Sequence, residues 1–239
     1  PSLVGIMQCQ CGSGLQINNN KILCVKCGKK FGDINDLFFN YTEADESEKI
    51  VSDNSDGLIA KIKYFFKKFP KIYFFIAYIL GGRQVNTTAQ KFVNRISDDK
   101  IIVNLGSGTK SLGQNVINVD FFPFSTVDVV AKVEDLPFKN NSIDSIVCDN
   151  VLEHIKIPEK VVAEMRRVLK PGGMVYVGVP FIIQYHSSPN DFYRWTYEGV
   201  RELMSGFEEF ELKVACGPTS AMTVILSEWL AISLSFNLK

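Results

Sequence analysis

From Lys100 onward, short apolar runs alternate with longer amphipathic ones. Residues 101–105 form an apolar run closed by glycine, and Val116–Asp120, 127–131 and Ile143–Asp149 follow, each bounded by turn residues. Such runs read as buried parallel strands. Residues 158–169 read as a helix. Pro158 suits a first turn, and Val161, Val162, Met165, Val168 and Leu169 fall on one face. Lys170-Pro171-Gly172-Gly173 stops that helix. Then come a strand over 174–180, a helix over 196–205, a strand over 207–216 and a last helix over 219–236. Strands alternating with helices predict an α/β domain with a mostly parallel sheet.

The connections within this domain are short. Residues 109–119 alone separate Gly108 from Asp120, and FFPFST alone joins Asp120 to Val127. A helix of about 10 residues plus turns does not fit there, so the first crossovers are abbreviated. A parallel sheet must be covered on both faces. The aromatic segment 58–80, or a second copy in a homo-oligomer, is expected to cover the gap. That segment is basic and helical in pattern, and Pro70 ends or kinks it. Its lysines among aromatics (KIKYFFKKFPK) also fit an interfacial helix, hence a peripheral membrane contact. Residues 72–80 and 221–236 are apolar but short of the roughly 20 residues of a spanning helix.

Basic and acidic residues balance at 26 each, so no net field draws in nucleic acid. Cysteines are uneven: Cys9, Cys11, Cys24 and Cys27 crowd the first 40 residues, while Cys148 and Cys216 stand alone in apolar runs and read as buried small side chains. Clustering of this kind indicates metal ligation in a reducing, cytoplasmic compartment. The first 30 residues lack the apolar core of a signal peptide. The chain therefore divides into 1–40, a cysteine module; 41–95, an acidic linker and helical cover; and 96–239, the α/β domain.

In open parallel sheets, ligands bind at the carboxyl ends of strands. The first strand ends in Asn104-Leu105-Gly106-Ser107-Gly108 and the second in Asp120. Glycines there let backbone approach a ligand, and a carboxylate at the next strand end accepts ribose hydroxyls. A dinucleotide oxidoreductase is disfavoured, because the third glycine of Gly-x-Gly-x-x-Gly falls on Ser111 and the acid comes too early.

Four blocks are more specific: IIVNLGSGT, INVDFFP, AKVEDLPFKNNSIDSIVCDNVLEHI and VLKPGGMVYVGVPF. In this order they resemble the class I S-adenosylmethionine (AdoMet)-dependent methyltransferases of the type 11 kind, which implies a Rossmann-like methyltransferase domain over 96–239. The resemblance implies that Gly106, Ser107 and Gly108 face the methionine part of AdoMet, with Asn104 in the place of the family's first acid. It gives Asp120 the ribose and Phe121 the adenine face. Val133 would supply an amide to the adenine ring, with Glu134 or Asp135 as its acid, since Lys132 stands where the family has that acid. Asn150 and Val151 would lie beneath the sulfonium. His154 matches a frequent histidine of the family and reads as a turn cap.

QYHSSPNDFYRWT resembles a segment of methyltransferases of surface-glycan biosynthesis. It nominates His186 as catalytic base and Tyr185, His186, Asp191, Tyr193 and Arg194 as contacts to a small-molecule or glycan-type acceptor. The plainer reading is a packed loop braced by Asp191 and Arg194.

Cys9-x-Cys11 and Cys24-x2-Cys27 resemble a zinc ribbon, which implies structural Zn2+ on four thiolates. The first pair is one residue shorter than usual. The implied activity is AdoMet-dependent methyl transfer. The alternative is a degenerate methyltransferase fold serving as a binding or regulatory module, which Asn104 and Lys132 favour.

Overall fold

A computed structural model describes residues 3–33, 39–40, 88–186, 189–208 and 211–236. The expectations placed on 58–80 lie outside the described residues. The domain is built on a parallel six-stranded sheet. Its strands are β4 (Phe39–Asn40), β5 (Ile102–Leu105), β6 (Val116–Asp120), β7 (Val129–Val130), β8 (Ile143–Asp149) and β9 (Leu169–Gly178). They lie in the order β4-β7-β6-β5-β8-β9, every described pairing being parallel. The order reverses between β6 and β8, on either side of β5. That switch point is where an open α/β sheet gathers its ligand-binding loops.

Strand alternation separates two faces. Val103 and Leu105 pack with Val119, Ile146 and Cys148 in one large buried cluster, onto which the helix Pro158–Val168 lays Val161, Met165 and Val168. The other face is thinner. Ile102, Val116 and Val147 meet Ala89 and Val93 from the short helix Ala89–Val93, with Leu112 and Tyr176 at the rim. Leu112 comes from the first crossover, which carries no helix, and neither does the connection from β6 to β7. The abbreviated crossovers leave a loop side chain and a one-turn helix where longer helices would lie.

The cysteine module is not a loose appendage. A three-stranded antiparallel sheet, β1 (Leu15–Asn18), β2 (Lys21–Cys24) and β3 (Lys30–Asp33), follows a helical turn at Leu3–Ile6. Ile6, Met7, Cys9, Ile22, Cys24 and Phe31 belong to the same buried cluster as Leu105 and Ile146. Met7 bridges to Phe138 on the backbone, Gln8 N donates to Pro137 O (2.9 Å), and Lys139 N donates to Ile6 O (2.8 Å).

Three expectations change. The helix from Pro158 ends at Val168, and Leu169 already pairs with Ile143 in β9. Lys170 to Gly173 then bulge out opposite Asp144 before Met174 rejoins Ser145, so the Pro-Gly-Gly run interrupts a strand rather than preceding it. Gly172 takes a left-handed φ of 74° there, a conformation glycine adopts without the penalty other residues meet. The expected strand over 207–216 is absent among the described residues; a helix over Tyr197–Leu203 gives way to turn and loop with an isolated bridge at Cys216. Cys216 is exposed, whereas Cys148 is buried within β8. The last helix, Pro218–Phe236, is apolar, yet no described helix is both long and apolar enough to cross a membrane.

Candidate functional site

The glycine turn follows β5. Gly106 and Gly108 have left-handed φ values of 61° and 55°. A side chain at 106 would collide with Val151, whereas no described residue comes within 4 Å of a Cβ at 108. The turn is therefore closed beneath Gly106 and open in front of Gly108. Asp120 fixes it from the end of β6: Oδ2 accepts from Gly108 N (2.8 Å) and Oδ1 from Phe122 N (2.9 Å). Thr126 Oγ1 donates to Gly108 O (3.0 Å). Each carboxylate oxygen retains a second lone pair, which suits a ribose hydroxyl. Ser107 Oγ is buried without a hydrogen-bond partner among the described residues. An open glycine cradle, an orphan hydroxyl and a strand-end carboxylate fit the polar parts of AdoMet.

Asn104 lies one layer down. It is buried, and its Nδ2 donates to Asn118 Oδ1 (3.2 Å), tying β5 to β6 under the turn. Phe121 projects beyond β6 with Lys132 Nζ 5.9 Å from its ring centroid, within cation–π range. Lys132 thus lies beside the aromatic face that the resemblance assigns to adenine. Val133 is buried and Glu134 half-buried in the loop behind. Two helix residues hold that loop. Glu164 Oε2 accepts from Leu136 N (2.8 Å), and Arg167 donates to Leu136 O (2.8 Å) and Phe138 O (2.7 Å). They sit one turn apart, so a single helix face clamps the Leu-Pro-Phe backbone.

At the end of β8, Asn150 adopts a φ of 56°, and its N donates to Gly178 O (2.9 Å). This brings Val151 against Gly106 and starts a 3-10 turn, Leu152–His154. Glu153 in that turn is 0% exposed, and neither carboxylate oxygen has a hydrogen-bond partner among the described residues. Burial raises its carboxyl above the ordinary glutamate range. Sequence reasoning singled out His154 and passed over Glu153. A glutamate between Leu152 and His154, just after the end of a mostly buried strand, was the available signal.

The loop over 183–195 folds onto this turn. Phe192 N donates to Glu153 O (2.7 Å) and Trp195 N to Pro180 O (2.9 Å). Arg194 pairs with Asp191 through both terminal nitrogens, 2.6 Å for Nη2 to Oδ2, and also donates to Ile183, Gln184 and Tyr193 carbonyls. All five guanidinium N–H groups are used inside the loop. Asp191 also accepts from His186 N (2.8 Å), and the Arg194 hydrogen bonds hold its carboxyl well below the usual aspartate range. Tyr193 Oη donates to Lys156 O (2.8 Å). Asp191, Tyr193 and Arg194 thus brace the loop, while Tyr185 is exposed and His186 half-exposed at its rim. His186 Nε2 is 3.9 Å from Glu153 Oε1.

The four N-terminal cysteines converge. Cys9 Sγ lies 3.6 Å from Cys27 Sγ and Cys11 Sγ 3.5 Å from Cys24 Sγ, all four within 4.8 Å of one another. Disulfides need about 2.05 Å, whereas tetrahedral zinc with bonds of about 2.3 Å sets thiolates roughly 3.7–3.8 Å apart. Amides of Cys27 and Lys26 donate to Cys24 Sγ (3.4 and 3.3 Å) and pull its thiol down to about 6, while burial pushes Cys9 up to about 12. Gly12 and Gly28 take left-handed φ values of 77° and 72° just beyond each pair. The short first pair therefore still reaches the cluster, whose donor set is compatible with a zinc-ribbon-like module.

Residues 106–177 match the family model described as methyltransferase domain. An uncharacterised protein of Methanocaldococcus jannaschii is 43% identical over 51 residues, which is 21% of this chain and 25% of that protein. The chain spans a quarter to about half the length of the curated relatives it matches. Among solved structures, a SAM-dependent methyltransferase from Thermotoga maritima is 21% identical, with 61% of this chain and 81% of that one covered at a TM-score of 0.43. The YcgJ protein from Bacillus is 17% identical, with 46% and 61% covered at 0.39. Residues 106–177 thus match that family model, and strands β7-β6-β5-β8-β9 stand side by side around the glycine turn in a Rossmann-like parallel sheet.

Proposed function

We propose that this chain is an AdoMet-dependent methyltransferase acting on a small-molecule or glycan-type acceptor. One observation carries the reading: the glycine turn after β5 is open in front of Gly108 and locked from β6 by Asp120. When bound, AdoMet supplies an electrophilic methyl group. The chain's own residues bind, orient and exclude water. Gly108 admits the cofactor backbone, the spare lone pairs of Asp120 meet the ribose hydroxyls, and Phe121 offers a face to the adenine. Val151 fills the floor between the turn and the end of β8. Methyl transfer needs little beyond proximity and alignment. The braced 183–195 loop supplies these, with His186 and Tyr185 presented at its rim.

Titration calorimetry with AdoMet and with S-adenosylhomocysteine tests the cofactor half. Native protein is expected to bind both, and Asp120→Ala to lose most of that affinity. Transfer of labelled methyl from AdoMet to a panel of sugars and phosphosugars tests the acceptor half. Folded protein that binds neither cofactor form would replace this reading with the binding-module one, which the position of Lys132 beside Phe121 favours.

A further inference from the structure

Glu153 presents an unresolved electrostatic problem. A carboxylate with no solvent exposure and no hydrogen bond costs several kcal/mol to ionise. Arg194, the nearest fixed cation in the loop, is fully used by Asp191 and three carbonyls. What faces Glu153 is a pair of imidazoles. His154 Nε2 and His186 Nε2 each lie 3.9 Å from Oε1, too far for a hydrogen bond. The two rings meet edge to face at 5.0 Å.

Both rings are oriented by the backbone. His154 Nδ1 is 2.6 Å from Asn190 O, and His186 Nδ1 is 3.1 Å from Gln184 O. A carbonyl only accepts, so each Nδ1 donates, which leaves Nε2 as the ring nitrogen facing Glu153. Carbonyls in that position orient metal-ligating histidines and raise their basicity. One ring nitrogen of each imidazole and one Glu153 carboxylate oxygen all lie within 4.8 Å of one another.

We infer that Glu153, His154 and His186 form a binding site for a divalent transition-metal ion, with coordination positions left open to solvent. Two imidazoles and one carboxylate suit zinc, iron(II) or cobalt(II). Bonds of about 2.0–2.2 Å bring tetrahedral ligands to roughly 3.3–3.6 Å apart, so each imidazole needs to advance by several tenths of an ångström. The bound cation supplies the charge that buried Glu153 lacks. Side-chain exposures of 13% for His154 and 35% for His186 leave one side accessible, unlike the four-cysteine cluster, whose protein ligands complete a tetrahedral set. An oxygen of the acceptor would take an open position. That use rests on the methyl-transfer reading, but the metal site does not.

The test uses the full chain, stripped with chelator, reloaded with cobalt(II) and counted by elemental analysis with absorption spectroscopy. Wild type is expected to take up about two equivalents, one on thiolates and one on nitrogen and oxygen. Glu153→Gln and His186→Ala are each expected to keep the thiolate charge-transfer band and to lose the second equivalent. The affinity loss should exceed about 100-fold, since changes beyond the direct ligands alone cost roughly 10–100-fold. Cys24→Ser/Cys27→Ser is expected to lose only the thiolate equivalent. Circular dichroism checks folding, and the half-exposed His186 covers the case in which buried Glu153→Gln fails to fold. Wild type taking up cobalt on the thiolates alone would overturn the inference. So would equal second-site affinity in wild type and His186→Ala. AdoMet calorimetry on the same samples separates the two claims. Cofactor binding without the second metal ends this inference alone, and the second metal without cofactor binding ends the methyltransferase reading alone.

Discussion

Replacing Gly106 with alanine should damage the protein for two separable reasons. The first is conformational. A φ of 61° costs an L residue about 1–2 kcal/mol. The second is steric. The new Cβ would overlap Val151 Cγ2 and stand 3.1 Å from Cγ1 and 3.3 Å from Cβ. Overpacking of this kind costs about 1–3 kcal/mol. Gly106→Ala is therefore expected to lose about 2–5 kcal/mol. In a Val151→Ala background the γ carbons are gone, and only the 3.3 Å approach to Cβ remains, which a small shift absorbs. There the same substitution should cost only the conformational part, about 1–2 kcal/mol. Urea unfolding of the four chains closes a double-mutant cycle with a coupling of about 1–3 kcal/mol, read from midpoints at constant slope. Equal penalties in the two backgrounds, within roughly 0.5 kcal/mol, would refute the claim that Val151 is the floor of the turn. AdoMet affinity on the same chains should fall with Gly106→Ala in both, because the left-handed turn is disturbed in each.

His186→Ala should abolish methyl transfer while AdoMet affinity survives, since the ring touches the 184–191 loop and Glu153 but not the glycine turn; unchanged turnover removes it from the mechanism. Cys24→Ser/Cys27→Ser should lower the melting temperature as well as the zinc content, because Cys24 is buried in the same cluster as the main sheet; loss of zinc with an unchanged melting temperature would show the module to be energetically separate. Asp191→Asn should destabilise at pH 7 and converge with wild type in acid. The folded carboxyl lies below its unfolded value, so its contribution is complete above about pH 4 and is lost as pH falls through the folded value; parallel stability curves down to pH 2 would count against the Asp191–Arg194 brace. Phe138→Ala should cost about 3–5 kcal/mol, because Phe138 is fully buried where the cysteine module meets the main sheet; a loss under about 1 kcal/mol would deny that this junction is part of the core.

The chain alone determined its strands and their chemistry where local pattern and burial agree. Val116–Asp120 and Ile143–Asp149 are found as read, and the helix from Pro158 misses by one residue. The glycine turn, its carboxylate partner and the clustered cysteines were legible because each needs a particular residue at a particular spacing. The short crossovers followed from counting residues. What the pattern left open depends on which strands find neighbours. Residues 207–216 alternate like a strand, but among the described residues they form turn and loop with an isolated bridge at Cys216, which is exposed. Pro171 to Gly173 look like a stop signal, yet β9 tolerates them because the bulge faces a single residue, Asp144, and needs no ladder hydrogen bond there.

The register of β5 against β6 sets Asn104 opposite Asn118, a pairing that the sequence does not announce. Asp191 and Arg194 looked equally fit to hold a sugar or each other, and the folded loop pairs them with each other. Glu153 stands out in the sequence only as a glutamate between Leu152 and His154. Its isolation, and the two imidazoles turned toward it, exist only once the 183–195 loop has packed on the end of β8. Sequence spacing determines which residues a local turn can present. Long-range closure decides which of their lone pairs remain unspent.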